Sequence, residues 1–341
     1  MSHVCMTPIT SPKAWRGETL ARETSWIVTL TDAEIADVDR ALAAAKASGL
    51  PLESIQRELF PLTVLRAKLE GAVAEMYEGR GFVVLRGLPV RRYRDEDVGL
   101  IFWGFGRYMG APLYQNPQGE LLGHVYDHGR TYGNIDVRGY ETNAYLPYHT
   151  DAGDVVGLLC LRRSLEGGLS SIVSSTTVHN EILAQHPEHL GLLYNGYYYI
   201  RREAALTERG VSERPIPVFG YQDGLVSCRY IRNQINAGAV KRETPLTTFE
   251  RAALDFMDEQ TRRPDLRLDM DLEPGDIQFI NNYTVLHSRT GFVDGPEPDQ
   301  KRHMLRLWLK FPKRWPLSPE FPTHMGYKPS QDTPELIEAE R

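Results

Sequence analysis

Beyond Pro147 the chain breaks into short apolar runs separated by Gly and Pro turns, and this texture limits the fold more than any other feature. The runs cover residues 155–161, 171–174, 197–202, 215–219, 225–228, 276–280, 284–287 and 302–311. Many short strands with tight turns close into a β-sandwich or jelly roll. Two helices interrupt them. One begins near Ser175 and contains 178–185, and the other opens at the capping box Thr247-Thr248-Phe249-Glu250 and ends before Pro264.

The first hundred residues read differently. Thr31-Asp32-Ala33-Glu34 is a capping box before a helix that Gly49-Leu50-Pro51 stops, a second helix follows Pro61, and 95–109 is a third. Between the last two, Gly81-Phe82-Val83-Val84-Leu85-Arg86-Gly87 is a buried strand. Residues 110–147 have no periodicity and are rich in Gly, Asn, Tyr, Asp and Pro, the texture of an active-site lid. The fold class expected is therefore α+β, mainly β. A single domain spans 1–341, with an N-terminal helical extension over 1–60, a core over 61–311 holding the lid, and a C-terminal tail over 312–341.

Composition narrows the function. With 39 Lys and Arg against 45 Asp and Glu the net charge is −6, and no basic run is present, which disfavours nucleic acid as partner. No apolar stretch approaches the roughly 18 residues of a membrane span, and the first residues lack a charged-then-apolar signal layout. Three widely spaced cysteines, Cys5, Cys160 and Cys228, fit reduced thiols in a cytoplasm. Oligomeric state is not legible, and a homo-oligomer stays open.

The sharpest local chemistry is Tyr148-His149-Thr150-Asp151. On an extended segment, side chains two apart share a face, so His149 and Asp151 can reach one metal. They offer two legs of a 2-His-1-carboxylate triad, which leaves positions open on a non-haem Fe(II), against the alternative of a chance His-x-Asp with Asp151 as a turn residue before Gly153. His287, at or just after a return strand, is a candidate third leg, against the alternative of a core histidine satisfied by backbone. In 302–310 one strand face carries His303, Leu305, Leu307 and Leu309, and the other Met304, Arg306 and Trp308. An arginine between Met and Trp needs a partner, either an internal carboxylate or that of a bound 2-oxoglutarate. Arg289 shares the His287 face. His124 and His128, and His186 and His189 beside Pro187, read as ordinary histidines.

Together, Tyr148-His149-x-Asp151, Gly167-Gly168-x-Ser170, His287 and Arg302-x-x-x-Arg306 resemble the taurine/2,4-dichlorophenoxyacetate dioxygenase family over about 61–311. The resemblance implies a double-stranded β-helix (jelly roll) with a helical N-terminal layer. It implies an Fe(II)- and 2-oxoglutarate-dependent dioxygenase that uses O2 to oxidise a C–H bond of a small molecule, by hydroxylation, desaturation or cyclisation, releasing succinate and CO2. Carried over by residue, His149, Asp151 and His287 are the iron ligands. Arg306, nineteen positions after His287, clamps the C5 carboxylate of 2-oxoglutarate, Arg302 is the neighbouring basic residue, and Ser170 assists, with Ser171 beside it. Tyr148 stands where the family often has Trp, on the substrate side. The presence of Asp151 disfavours halogenation. Tyr148, Asn143, Tyr145 and Arg289 are the candidate substrate contacts, with Tyr114, Gln115, Asn116, His128 and Tyr132 of the lid and Arg229 and Arg232 further along. Two alternatives remain at this level: an iron oxidase that does not use 2-oxoglutarate, and a metal-free β-helix binding protein.

Overall fold

The computed structural model describes residues 3–116, 118–131, 137, 139–200 and 210–322. Its helices are α1 Gly17–Leu20, α2 Asp32–Ala47, α3 Arg66–Tyr77, α4 Asp95–Met109, α5 Ser175–Gln185, α6 Glu188–Asn195, α7 Arg232–Lys241 and α8 Thr248–Arg262. The strands up to the first half of the core are β1 Ile27–Thr29, β2 Phe82–Arg86, β3 Ala111–Leu113, β4 Leu122–Val125, β5 Leu146–His149, β6 Val155–Arg162, β7 Glu166–Gly167 and β8 Ser170–Ser174. The remainder are β9 Phe219–Gln222, β10 Leu225–Cys228, β11 Arg267–Met270, β12 Ile277–Asn281, β13 Val285–Arg289, β14 Phe292–Val293 and β15 His303–Lys310.

Two sheets form the core. The larger runs β1-β2-β12-β6-β15-β3, with β4 also on β15; the smaller runs β11-β8-β13-β5. Alternation along each strand divides its side chains between two buried faces. Phe82, Val84, Val156, Cys160, Met304 and Trp308 of the large sheet meet Ile172, Val285, Leu268 and Met270 of the small one between the sheets. The opposite face of the large sheet, through Val83, Leu85, Leu159, Phe279, Leu305 and Leu307, packs on α2, α3 and α4. The opposite face of the small sheet, through Tyr148, Val173 and Leu286, packs on α5, α6 and α8. Both faces being covered explains why these strands read as continuous apolar runs rather than as alternating ones.

Both capping boxes form, with Glu34 N bonded to Thr31 Oγ1 and Glu250 N to Thr247 Oγ1. The helix expected directly after Pro61 starts only at Arg66. Residues 63–65 instead direct their N–H groups at Asp37 Oδ2 of α2 (2.9, 2.7 and 3.0 Å), a cap supplied by another helix and therefore invisible locally. Segment 110–147 is not lid throughout. Its first part supplies β3 and β4, which pair in succession with β15 and satisfy a strand edge that would otherwise be unpaired. Pro117, 132–136 and Arg138 lie outside the described residues, Tyr132 among them. The strand expected over 197–202 is reduced to bridges at Tyr197 and Ile200, with 201–202 outside the described residues. In 215–219 a bridge at Ile216 precedes β9. Residues 323–341 of the tail are likewise outside.

Candidate active site

The triad is assembled by strand register. His149 ends β5 and lies directly opposite His287 of β13, so both imidazoles project from the inter-sheet face of the small sheet, with ring centroids 4.2 Å apart. Asp151 follows in the turn after β5. Its Oδ1 is 3.8 Å from His149 Nε2, and its Oδ2 is 3.7 Å from His287 Nε2. The ligand atoms of the three residues lie within 4.8 Å of one another.

The turn is fixed from two sides. Asn282, fully buried between β12 and β13, accepts from Asp151 N (2.9 Å) and donates to Asp151 O (2.8 Å) and Gly153 O (2.7 Å). Thr150 N donates to Tyr230 O, and Tyr230 N to Thr150 Oγ1. Asn282 therefore ties the segment that carries two of the triad residues to the strand that carries the third. In the sequence it is one polar residue of Asn281-Asn282-Tyr283, and nothing local distinguishes it.

Protonation is also set for metal binding. His149 Nδ1 lies 2.8 Å from Pro147 O, a contact that puts its proton on Nδ1 and leaves the Nε2 lone pair facing the triad. Burial, reinforced by the neighbouring His149 and Arg306, pushes His287 down to about 3, so it is neutral at physiological pH. Burial opposes ionisation of Asp151, but Arg306, His287, His149 and the Trp308 N–H outweigh it and hold the carboxyl at about 2. Two imidazoles, that of His287 neutral, and one ionised carboxylate converging on one point suit a divalent transition metal with positions left open.

Arg306 of β15 and Arg302, which directly precedes that strand, differ sharply. Arg306 is already engaged: its Nε donates to Gln115 Oε1 (2.8 Å), and its Nη1 is 3.5 Å from Asp151 Oδ2. The Gln115 amide in turn donates to the main-chain oxygens of Arg306 (2.6 Å) and Leu121 (2.8 Å). Gly123, opposite Arg306, makes room for it, since a Cβ there would lie 2.5 Å from Gln115 Oε1. Arg302 is 5% exposed, and among the described residues its Nη1 has no hydrogen-bond partner. Burial lowers its pKa to about 10, against the opposing pull of Cys160 and Asp294. A buried guanidinium with an unused donor is a socket for an anion. Arg306, expected to be the carboxylate clamp, therefore has Gln115 on its Nε and Asp151 at 3.5 Å from its Nη1, while Arg302 Nη1 has no partner among the described residues. Arg302 shares the Phe292 ring with Arg289, whose strand partner is Ser170.

Period-two alternation separates the other candidates. Ser170 is on the Ile172 side, between the sheets. Ser171 is on the Val173 side, where it donates to Asp269 Oδ1 (2.5 Å) and bonds the Tyr148 hydroxyl. Tyr148 is therefore not a wall towards substrate. One residue from His149, it points to the opposite face and is buried against the helices. Arg289 does not reach for a ligand with its Nη2, which donates to Thr142 O (2.9 Å) and to Ala144 O. Asn143 O accepts from Phe292 N (3.0 Å), so this stretch is pinned beside the site by its main chain. Tyr145 is 43% exposed at the rim. Arg232 pairs with Asp255 and Asp258. His124 Nδ1 and His303 Nε2 share a bond of 2.9 Å. His186, Glu188 and His189 also come together, but on the surface, with a His186–Glu188 pair of 3.0 Å closed on itself.

Residues 47–308 match the family described as taurine catabolism dioxygenase TauD, TfdA family. The FR-33289 synthase of Streptomyces rubellomurinus is 30% identical over 316 residues, covering 91% of this chain and 92% of that protein. A taurine hydroxylase-like protein, SAT17, of Stachybotrys chartarum is 31% identical over 308 residues, covering 86% and 77%. Among solved structures, asparagine oxygenase in complex with Fe(II), 2S,3S-3-hydroxyasparagine and succinate superposes with a TM-score of 0.64 at 19% identity, covering 83% of this chain and 93% of that one. The non-heme iron oxygenase OrfP in complex with Fe and alpha-ketoglutaric acid gives 0.61 at 19%, covering 83% and 94%. These two likenesses establish the jelly-roll fold.

Proposed function

We propose that this chain, which belongs to the taurine catabolism dioxygenase TauD, TfdA family, holds its Fe(II) with His149, Asp151 and His287 and receives the distal carboxylate of 2-oxoglutarate at Arg302. The protein is an Fe(II)- and 2-oxoglutarate-dependent dioxygenase acting on a small molecule. The observation that carries the residue assignment is the pairing of a closed donor set with an open one. Three metal-binding side chains converge within 4.8 Å, and a buried arginine with an unused N–H stands further along the same inter-sheet space. When bound, the metal activates O2 for oxidation of a substrate C–H bond at the cost of 2-oxoglutarate, which leaves as succinate and CO2.

The chain's own residues bind, orient and exclude water. His149 and His287 present their Nε2 atoms, and Asp151 supplies the negative charge. Arg302 offers a charge-assisted bond to the far carboxylate, with the Ser170 hydroxyl on the same face. Arg306, held by Gln115, stays beside Asp151, so a co-substrate carboxylate does not compete with the triad for its fork. Trp308, Met304, Ile172 and Val285 line the space with apolar surface and keep water from it. Substrate enters where Tyr145 is exposed, and the stretch pinned by Arg289 forms the rim.

The direct test is succinate formation and oxygen consumption by anaerobically iron-loaded protein across a panel of small molecules. Oxygen uptake that depends on 2-oxoglutarate supports the reading. Uptake without it would assign the chain to iron oxidases that draw electrons from substrate, and failure to take up iron would leave only a binding protein.

A further inference from the structure

We infer that Trp308 is a positioning residue that reserves one oxygen of Asp151, so that this carboxylate offers a metal Oδ1 alone. The inference rests on the assignment of Asp151 as a metal ligand. Trp308 Nε1 donates to Asp151 Oδ2 at 2.8 Å, and Arg306 Nη1 stands 3.5 Å from the same atom. Oδ1 carries neither contact and faces His149 Nε2 at 3.8 Å. An indole N–H is a donor only, with no tautomer that releases it, and against an ionised carboxylate the bond is charge-assisted.

Everything around the pair restricts its alternatives. The main chain of Asp151 is held at both N and O by Asn282, which leaves the carboxylate little freedom beyond rotation. Trp308 is buried in the middle of β15, opposite Val156 of β6 and Leu113 of β3, with the Arg306 guanidinium 4.4 Å from its ring. Gly153, two residues after Asp151, lets the strand come this close, since a Cβ there would meet Trp308 Cβ at 2.9 Å. The indole is thus fixed by the large sheet and the Asp151 main chain by Asn282, and the hydrogen bond joins the two.

With Oδ2 held by Trp308, Asp151 would give a bound metal one oxygen and not two, and the two histidines one nitrogen each, so more of the metal would stay open to co-substrate and O2.

The test replaces Trp308 by Phe, which keeps the ring and removes the N–H, and follows Co(II) binding to the full chain by titration calorimetry and visible absorption. The expected result is one Co(II) per chain, an affinity about ten- to hundredfold weaker than wild type and a changed ligand-field band, with the melting temperature little altered. In an Asp151→Ala background, Trp308→Phe should have no further effect on affinity, because the atom that it orients is gone. Wild-type affinity and spectrum in Trp308→Phe, or full additivity in the double variant, would overturn the proposal. If Asp151→Ala alone bound Co(II) as tightly as wild type, the ligand assignment itself would fall, whatever Trp308 does. Should Trp308→Phe not fold, the indole 15N–H spectrum decides: one of the five tryptophan signals moves upfield in Asp151→Ala, and its constancy overturns the proposal.

Discussion

Arg302 and Arg306 lie four residues apart, one just before β15 and the other in its middle, both buried, yet their surroundings differ. Arg306 has Gln115 on its Nε and the Asp151 carboxylate beside its Nη1, and it closes the triad end of the inter-sheet space. Arg302 has a main-chain bond from its own N to Asp294 Oδ1 but leaves Nη1 without a partner among the described residues. A buried guanidinium donor that has a partner is satisfied, and one without a partner is a candidate anion site. The difference lies entirely in what the neighbouring segments bring to each position.

The largest effects should come from the closed end. Asp151→Ala and His287→Ala should lower turnover below detection and cut metal content while the fold survives, since removal of one protein leg weakens the chelate without opening the core. Near-wild-type succinate formation with full iron content would remove that residue from the triad.

Exchange of the two arginines comes next and tests the comparison itself. Arg302→Leu should raise the dissociation constant of 2-oxoglutarate by about one to two powers of ten, as expected from the loss of a charge-assisted bond worth about 1.5–3 kcal/mol. Arg306→Lys should shift it by about threefold or less, because its fork is spent on Gln115 and Asp151. Titration of the anaerobic Fe(II) complex measures both. Equal losses would erase the distinction, and a reversed order would return the clamp to Arg306.

Gln115→Leu should act on the closed end alone. It strips the partner from Arg306 Nε and should lower the unfolding free energy by about 1–3 kcal/mol, read from the denaturant midpoint. The affinity for 2-oxoglutarate should stay as in wild type; if it fell with stability, the two ends would be one network.

The smallest effects should separate the serines. Ser170→Ala should weaken 2-oxoglutarate by about 0.5–1.5 kcal/mol and leave stability nearly unchanged. Ser171→Ala should do the converse, since its hydroxyl serves Tyr148 and Asp269 on the other face. The same effect from both would mean that the faces are not independent.

How far the sequence reached varies by element. The capping boxes at Thr31 and Thr247 are legible because both halves of the motif lie within one turn. The triad is legible because His149 and Asp151 are adjacent in the chain and His287 sits on a recognisable return strand. The start of α3 at Arg66 is not, because Asp37 supplies its cap from another helix. Nor are β3 and β4, which are strands only because β15 presents an edge to them. The faces on which Tyr148 and Ser171 lie are not legible in the sequence, for one reason. A shift of a single residue along a strand exchanges its two faces, and composition does not say which face meets the other sheet when both are buried.

By itself, then, the sequence determined the candidate donor residues, the close spacing that keeps Asp151 beside His149, and the run of short strands that brings a distant histidine opposite them. Those are properties of residue type and of backbone period, both local. Tertiary structure alone decided which buried arginine kept an open valence, that Asn282 would hold the Asp151 turn, and that Trp308 would occupy one carboxylate oxygen. Each of these depends on hydrogen bonds between residues over a hundred positions apart, and whether a polar group is satisfied is a fact about its neighbours in space.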